Sequence, residues 1–469
     1  MPREWRTKKV ISLLSIASSS SHIPLSELVL SLTTALDMTE GQPPEHCIRC
    51  SWIGLHLGQQ LGLSDNQLYD LFFTILLKDA GCSSNAARIC ELYLTHDQDF
   101  KRDYKTIGTS VSSALSFVMR HAGKEQGILT RISTTLDIIK NGSHYAQELI
   151  ETRCTRGAEI ATELRFNQDV SLGIASLDEH WNGEGRPLKL SGDVIPLYSR
   201  IALLVQVVDV FQNEHSIERA LSEARHRSGT WFDPMLVDQL TALFSDQAFV
   251  EGLLADDIRE RVLKIAPKNT HMLLDDDYFD CIVAAFGKIV DAKSPYTAGH
   301  SQRVGFYAAN IASELGMSAE EVKWVERAAL LHDIGKLGVS NQILDKPGRL
   351  EASEWERVQE HAFYTESILA PISCFKDVAK ASASHHEKLD GTGYPRGLKG
   401  DQIPLITRII TTADIFDAIS AERPYRAAMP VSKVLDIMEE NLHTAIDERC
   451  LEALKASIDR IPKHWLVAE

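Results

Sequence analysis

The sequence predicts an all-α protein, on three observations. Apolar residues recur at three- and four-residue steps in Leu25–Asp37, Tyr278–Lys293, Val304–Leu315 and Val322–Leu331, the spacing of helices with one buried face. Period-two alternation, the mark of a half-buried strand, is scarce. Pro295, Pro347-Gly348 and Gly391-Thr392-Gly393 fall between the periodic stretches, as helix breakers do. One irregular Gly-rich region is expected near residues 388–404.

In chain order, Arg3, Arg6, Lys8 and Lys9 precede an apolar stretch, Val10–Ile16, that Ser12 and Ser15 interrupt. The stretch is too brief for a secretory signal and no small-residue cleavage site follows it, so a cytoplasmic protein is expected. No apolar run reaches the ~18 residues that span a bilayer, so no membrane partner is expected. Lys plus Arg number 49 and Asp plus Glu 65, a net charge of −16. That sign opposes sequence-independent binding to duplex nucleic acid. Eight cysteines in 469 residues do not form a secreted disulfide framework. Cys47-x-x-Cys50 has redox or zinc spacing but no βαβ pattern beside it, so reduced, partly buried thiols are expected. The polar stretch Lys268–Asp277 follows Pro267 and contains Asp275-Asp276-Asp277. It marks a boundary, giving residues 1–265, a linker at 266–277 and residues 278–469.

The two parts repeat each other. His46-Cys47-Ile48-Arg49 resembles His300-Ser301-Gln302-Arg303, an offset of 300 − 46 = 254. Leu77-Lys78-Asp79-Ala80-Gly81 resembles Leu331-His332-Asp333-Ile334-Gly335 at the same offset, 332 − 78 = 254. Asn182–Pro187 resembles Asp390–Pro395, and Asp193–Pro196 resembles Asp401–Pro404, both at 390 − 182 = 401 − 193 = 208. Two constant offsets imply a tandem duplication with 254 − 208 = 46 extra residues in the first copy, between Asp79 and Arg153.

Chemistry concentrates in the second copy. His332-Asp333 and His385-His386 are adjacent pairs, His361 follows Glu360, and Asp414 closes Thr411-Thr412-Ala413-Asp414. Imidazoles and carboxylates suit Mn, Fe, Ni or Zn. A carboxylate shared by two ions ~3.5–4 Å apart is the arrangement that activates a water for phosphoester attack.

At these residues the sequence resembles the HD-GYP subgroup of the HD-domain metal-dependent phosphohydrolases. The resembling text is His300-Ser301-x-Arg303-Val304, His332-Asp333-Ile334-Gly335-Lys336 and Leu344–Leu350. It continues with His385-His386-Glu387-x-x-Asp390-Gly391-Thr392-Gly393-Tyr394-Pro395, Asp414-Ile415-Phe416-Asp417-Ala418 and Arg423-Pro424-Tyr425-Arg426. An HD pair alone is a weak signal; the pair with the long GYP segment is a specific one. The resemblance implies tandem helical HD-type domains, the second a catalytic domain with a GYP extension. The implied substrate is a cyclic dinucleotide, cyclic di-GMP by family default, with 3′,3′-cyclic GMP-AMP as the alternative. It implies His332, Asp333, His361, His385, His386 and Asp414 as ligands of two divalent transition-metal ions, with Asp333 bridging and His300 a further candidate. Fe or Mn is the expected metal, with Ni, Zn or Mg as alternatives. A hydroxide between the ions would attack the 3′,5′-phosphodiester. Lys336, read as one helical turn beyond His332, would hold the phosphate or protonate the leaving 3′-oxygen. Tyr394, Arg423 and Arg426 would contact substrate.

Departures from the family pattern are few. Tyr296 stands where members with a third ion place a Glu, Thr365 replaces a usual Gly, and Val339-Ser340 replaces a common Ile-Pro.

The offsets turn each ligand into something else in the first copy. His332, His361, His385, His386 and Asp414 become Lys78, Arg153, Leu177, Asp178 and Gln206; only Asp79 and His46 keep their type. No metal centre survives that, and Lys78 and Arg153 are expected to pair with Asp79 in its place. The first copy is read as a scaffold, packing on the second or on another chain through the apolar faces Leu25–Leu36 and Ile201–Phe211. A signalling partner at the GYP segment is a further expectation. The competing readings are a non-catalytic cyclic-dinucleotide receptor, which the complete ligand set opposes, and a mononucleotide or triphosphate hydrolase, which the GYP segment opposes.

Overall fold

The computed structural model describes residues 23–107, 111–124, 126–421 and 428–466. The basic start of the chain, Arg423 and Arg426 lie outside them. Among the described residues the fold is helical, with isolated bridges and no strand. The first half comprises α1 (Leu25–Thr39), α2 (His46–Gln60), α3 (Asp65–Leu77), α4 (Ala86–Tyr93), α5 (Asp97–Tyr104), α6 (Val111–His121), α7 (Ile128–Glu163), α8 (Gln168–Ala175) and α9 (Leu197–Glu214). It closes with α10 (Ile217–His226), α11 (Pro234–Leu243), α12 (Gln247–Leu253) and α13 (Ile258–Ile265). The second half comprises α14 (Asp276–Asp291), α15 (His300–Glu314), α16 (Ala319–Leu330), α17 (Asn341–Leu344), α18 (Ala352–Leu369), α19 (Lys376–Ala383), α20 (Leu405–Ser420), α21 (Val431–Glu439) and α22 (Glu448–Ser457).

Local chemistry sets the boundaries. Ser64 with Gln67, and Ser318 with Glu321, form capping boxes that start α3 and α16. The acidic triplet expected in the linker belongs instead to α14. The Asp275 side chain accepts from Tyr278 N at 2.7 Å, and Asp276 and Asp277 occupy the first turn, where negative charge meets the positive end of the helix dipole.

The duplication is visible in the packing. In the first half α2 packs on α3 and α9, α3 on α8, and α7 on α8; in the second, α15 packs on α16 and α20, α16 on α19, and α18 on α19. Asp37 accepts from Cys47 N at the start of α2 at 3.0 Å, and Asp291 from Ser301 N at the start of α15 at 3.1 Å. His46 Nδ1 meets Asp209 Oδ2 at 2.8 Å, with Arg49 on the same carboxylate; His300 Nδ1 meets Asp417 Oδ2 at 2.7 Å, with Arg303 alongside. Gly81 and Gly335 each press on a carbonyl, of Arg153 and of His361, with no room for a Cβ.

The halves interlock. α1 packs on the second half's 3-10 turn at Ile334–Gly338 and on α18, while α14 packs on the first half's turn at Cys82–Asn85 and on α7. The backbone ties this down, with Leu274 N donating to Ile23 O and Leu25 N to Met272 O, both at 3.0 Å. One buried apolar cluster therefore runs through both halves, and the inserted residues form a small second cluster around Tyr93, Phe100 and Phe117. The apolar face of α1 is covered by both halves, by α2 and α3 of its own and by α18 and the Ile334–Gly338 turn of the other; that of α9 is covered within its own half by α2, α3, α8 and α10. No helix of the described residues is long and apolar enough to cross a membrane.

A shared core predicts one unfolding event. Leu32 on α1 is fully buried, so Leu32→Ala is expected to cost about 2–5 kcal/mol. Scanning calorimetry should move the transition of the whole chain. Two separate transitions, with only one shifted, would contradict the interlocked core.

Candidate metal centre

Four elements converge on one carboxylate. Asp333 follows the end of α16 and opens the 3-10 turn Ile334–Gly338; His361 lies on α18, His385 just past α19, and Asp414 on α20. The two oxygens of Asp333 face different imidazoles. Oδ2 lies 3.2 Å from His332 Nε2 and 3.5 Å from His300 Nε2, whereas Oδ1 lies 3.7 Å from His361 Nε2 and 3.6 Å from His385 Nε2. Asp414 Oδ1 stands 3.5 Å from His300 Nε2 and 3.9 Å from His332 Nε2.

Each ring is locked from behind. The Nδ1 atoms of His332, His361 and His385 lie 2.6, 2.5 and 2.7 Å from the carbonyls of Ala329, Val358 and Ser382. A carbonyl only accepts, so Nδ1 carries the proton and Nε2 presents its lone pair inward. The Nε2 atoms of these three histidines and Asp333 Oδ1 are buried without a hydrogen-bond partner. Leaving such atoms unpartnered costs free energy that a bound cation would recover. The donor atoms of Asp333, His361, His385 and His386 lie within 4.8 Å of one another, as do those of His300, His332 and Asp333 and those of His332, His385 and Asp414. The first two sets share Asp333 and the third links them through His332 and His385, an overlap that fits two neighbouring cations rather than one.

Electrostatics agree with that fit. Burial pushes His361 down to about 4, His385 down to about 3 and His386 well below its ordinary value, so these rings stay neutral and available as ligands. Burial alone would raise the Asp333 carboxyl; His332 and Lys336 outweigh it and hold Asp333 ionised. His300 differs, since burial is overcome by Asp333 and Asp417 and its value rises to about 9.

The structure thus brings His300, His332, Asp333, His361, His385, His386 and Asp414 together, with Lys336 Nζ 2.5 Å from Asp333 Oδ2. The helical reading of that lysine is corrected. His332 and Asp333 lie beyond the last residue of α16, and Lys336 sits in the 3-10 turn. Residues three apart eclipse in such a turn, so Lys336 stands over Asp333 rather than one α-turn from His332. Thr365, the departure from Gly, ties the turn down: its hydroxyl accepts from Gly335 N and donates to His332 O, both at 3.0 Å. Tyr394 lies 4.8 Å from the His386 ring and 6.0 Å from Trp355, which is 46% exposed at the mouth. Trp355 sits in no recognisable motif and was not expected. Tyr296 lines a cavity of about 110 Å³ with His300, Asp333, Lys336 and Asp345.

The corresponding place in the first half is filled by protein cations. Lys78 Nζ pairs with Asp79, both fully buried, and Lys105 Nζ lies 3.8 Å from Asp79 Oδ1 and 2.9 Å from Glu40 Oε2. Burial would raise Asp79, but Lys105 and Lys78 hold it well below the usual carboxylate range. The expectation for Arg153 is corrected, because it pairs with Asp178, the residue at the His386 position. His46, Cys50 and Asp209 also converge, but Arg49 already neutralises Asp209. Cys47 and Cys50 are free buried thiols that burial pushes well above their ordinary range.

The HD domain family matches residues 127–236 and 285–450. A 3′3′-cGAMP-specific phosphodiesterase 3 of Vibrio cholerae serotype O1 is 65% identical over 442 residues, 94% of this chain and 96% of that protein. The cyclic di-GMP phosphodiesterase response regulator RpfG of Xanthomonas campestris is 34% identical over 184 residues, 38% of this chain and 49% of that protein. A crystal structure of a cyclic GMP-AMP-specific phosphodiesterase of V. cholerae, V-cGAP3, is 58% identical with a TM-score of 0.65, covering 94% of this chain and 99% of that one.

Two substitutions separate the centres. Asp333→Ala is expected to lose bound metal by elemental analysis while the protein stays folded; unchanged metal content would exclude a bridging role. Asp79→Ala is expected to leave metal content unchanged but to strand the buried Lys78, at a cost of about 3–5 kcal/mol in denaturant unfolding. A loss of metal from Asp79→Ala would place an ion in the wrong half.

Proposed function

Because the chain belongs to the HD domain family and is a divalent-metal-binding cyclic-dinucleotide phosphodiesterase, we propose that its substrate is the 3′,3′-cyclic GMP-AMP dinucleotide. One observation carries the choice of base: the 65% identity to a cGAMP-specific phosphodiesterase over 94% of this chain, insertion and metal-free half included. The cyclic di-GMP phosphodiesterase RpfG matches only 38% of the chain. Cyclic di-GMP, the family default, becomes the second reading.

In this account Asp333 would be a ligand shared by two ions in the second half. His361, His385 and His386 would hold one, and His332 and Asp414 the other, with His300 a further candidate that would first give up its proton. Among the metals expected, the imidazoles of the donor set suit Fe, Ni or Zn, and its carboxylates admit Mn. Ions bound there supply Lewis-acid polarisation of the phosphate and a nucleophile at neutral pH. The chain's own residues do the rest. Hydrolysis adds water across one 3′,5′-phosphodiester, breaks the bond from phosphorus to the 3′-oxygen and leaves that oxygen in need of a proton. Lys336, 24% exposed and beside Asp333, is placed to donate it or to hold the phosphate as charge develops. Tyr394 and Trp355 form an aromatic corner on which a purine would stack. Arg423 and Arg426 remain proposed phosphate and guanine contacts.

Product chromatography on the full chain with a panel of cyclic dinucleotides tests the substrate. The expected result is a kcat/KM for 3′,3′-cyclic GMP-AMP about 10²-fold above that for cyclic di-GMP, within the range that base-edge hydrogen bonds achieve. Equal or reversed preference would reject this reading and restore cyclic di-GMP.

A further inference from the structure

Asp97 opens α5, within the 46-residue insertion of 254 − 208 that separates the two copies. It is fully buried, yet it does not serve its own half alone. Its Oδ1 accepts from Ser340 Oγ at 2.7 Å and from Asn341 N at 3.0 Å, both in the metal-binding half. Its Oδ2 faces Lys293 Nζ of that half at 3.6 Å and Lys101 Nζ of its own at 3.9 Å. Cys90 Sγ lies 3.9 Å from Oδ1.

These contacts bracket one short segment. Lys293 Nζ also donates to Leu337 O at 3.2 Å, and the next residue of α5, Gln98, donates through Nε2 to the same carbonyl at 3.2 Å. Leu337 follows Lys336 directly. The segment is therefore pinned at its start by Thr365 on Gly335 N, and at its end by Asp97 and Gln98 on Leu337, Ser340 and Asn341. Between the pins, Lys336 makes one ion pair, with Asp333.

We propose that Asp97, contributed by the half without a metal centre, positions Lys336 for the reaction in the other half. A buried ionic cluster is a poor device for stability, because apolar packing of the same volume does as well; its better-attested use is to fix register. Here the register being fixed is that of a turn carrying one functional side chain. A displacement of about 1 Å at such a group is worth up to ~10²-fold in rate. The insertion thereby acquires a role that a plain packing surface would not have: it carries the acceptor and donor that hold the turn.

The inference rests on the reading that Lys336 acts on the phosphodiester, and the test separates the two. Full-length Asp97→Asn, Gln98→Ala, Lys336→Ala and the doubles that join each of the first two to Lys336→Ala are compared for kcat, KM and metal content. Asp97→Asn and Gln98→Ala are expected to lower kcat about tenfold, with KM and metal content unchanged, and to cause no further loss when Lys336 is already Ala. The same fractional loss with and without Lys336 would mean a merely structural role and overturn the proposal. So would full rates in Asp97→Asn and Gln98→Ala alongside a slow Lys336→Ala. A full rate in Lys336→Ala itself would reject the underlying reading, whatever Asp97→Asn does. If Asp97→Asn does not fold, Gln98→Ala carries the comparison, since it removes no charge.

Discussion

A carboxylate buried among imidazoles and cut off from water must have cations, and Asp333 is such a group. Its two oxygens serve two separate sets of histidines, and the rings that face it are locked with their lone pairs inward. The rest of the second half is arranged to keep this carboxylate ionised and shared. α16 stops just before it, a 3-10 turn begins at it, α18 brings His361, the segment after α19 brings His385 and His386, and α20 brings Asp414. The same demand explains the first half. Asp79 is buried in the equivalent turn and faces the same electrostatic cost, met there by Lys78 and Lys105. One carboxylate position has two surroundings, an imidazole-rich donor set in one copy and lysines in the other.

The frame around the carboxylate is independent of which cation is used. His46, Arg49 and Asp209 repeat His300, Arg303 and Asp417 with nearly the same distances, and Asp37 repeats Asp291 as the acceptor at a helix start. These contacts hold helix ends and pair charges in both copies, and of them only the far side of the His300 ring also faces Asp333. They could therefore persist while the ligands changed. The swapped packing of α1 and α14 makes each half complete the other's core. Loss of chemistry in the first copy is thus compatible with retention of its fold.

What could be read from the sequence depended on whether a residue's role was local. The seven residues clustered around Asp333, and Asp79 in the other copy, sit in short motifs, so their convergence is legible in the sequence. Lys336 was assigned the right neighbourhood and the wrong geometry, because the end of α16 falls between Leu330 and His332 and periodicity does not mark such an end. Periodicity does not pair Arg153 with Asp178, because Asp178 lies beyond α8 and is brought to it by the packing of α8 on α7. Lys105, Asp97 and Gln98 lie in the insertion, where no offset applies and nothing in the second copy corresponds to them. The acidic triplet looked like linker because a helix cap and a solvated boundary favour the same residues.

The central claim is that Asp333 is neutralised by two bound cations and Asp79 by lysines. Anomalous diffraction at the metal absorption edge, on crystals of the full chain, tests it most directly. The account predicts two peaks about 3.5–4 Å apart astride the Asp333 carboxylate, and no peak near Asp79. A single peak that leaves one Asp333 oxygen uncoordinated, or any peak at Asp79, would contradict it.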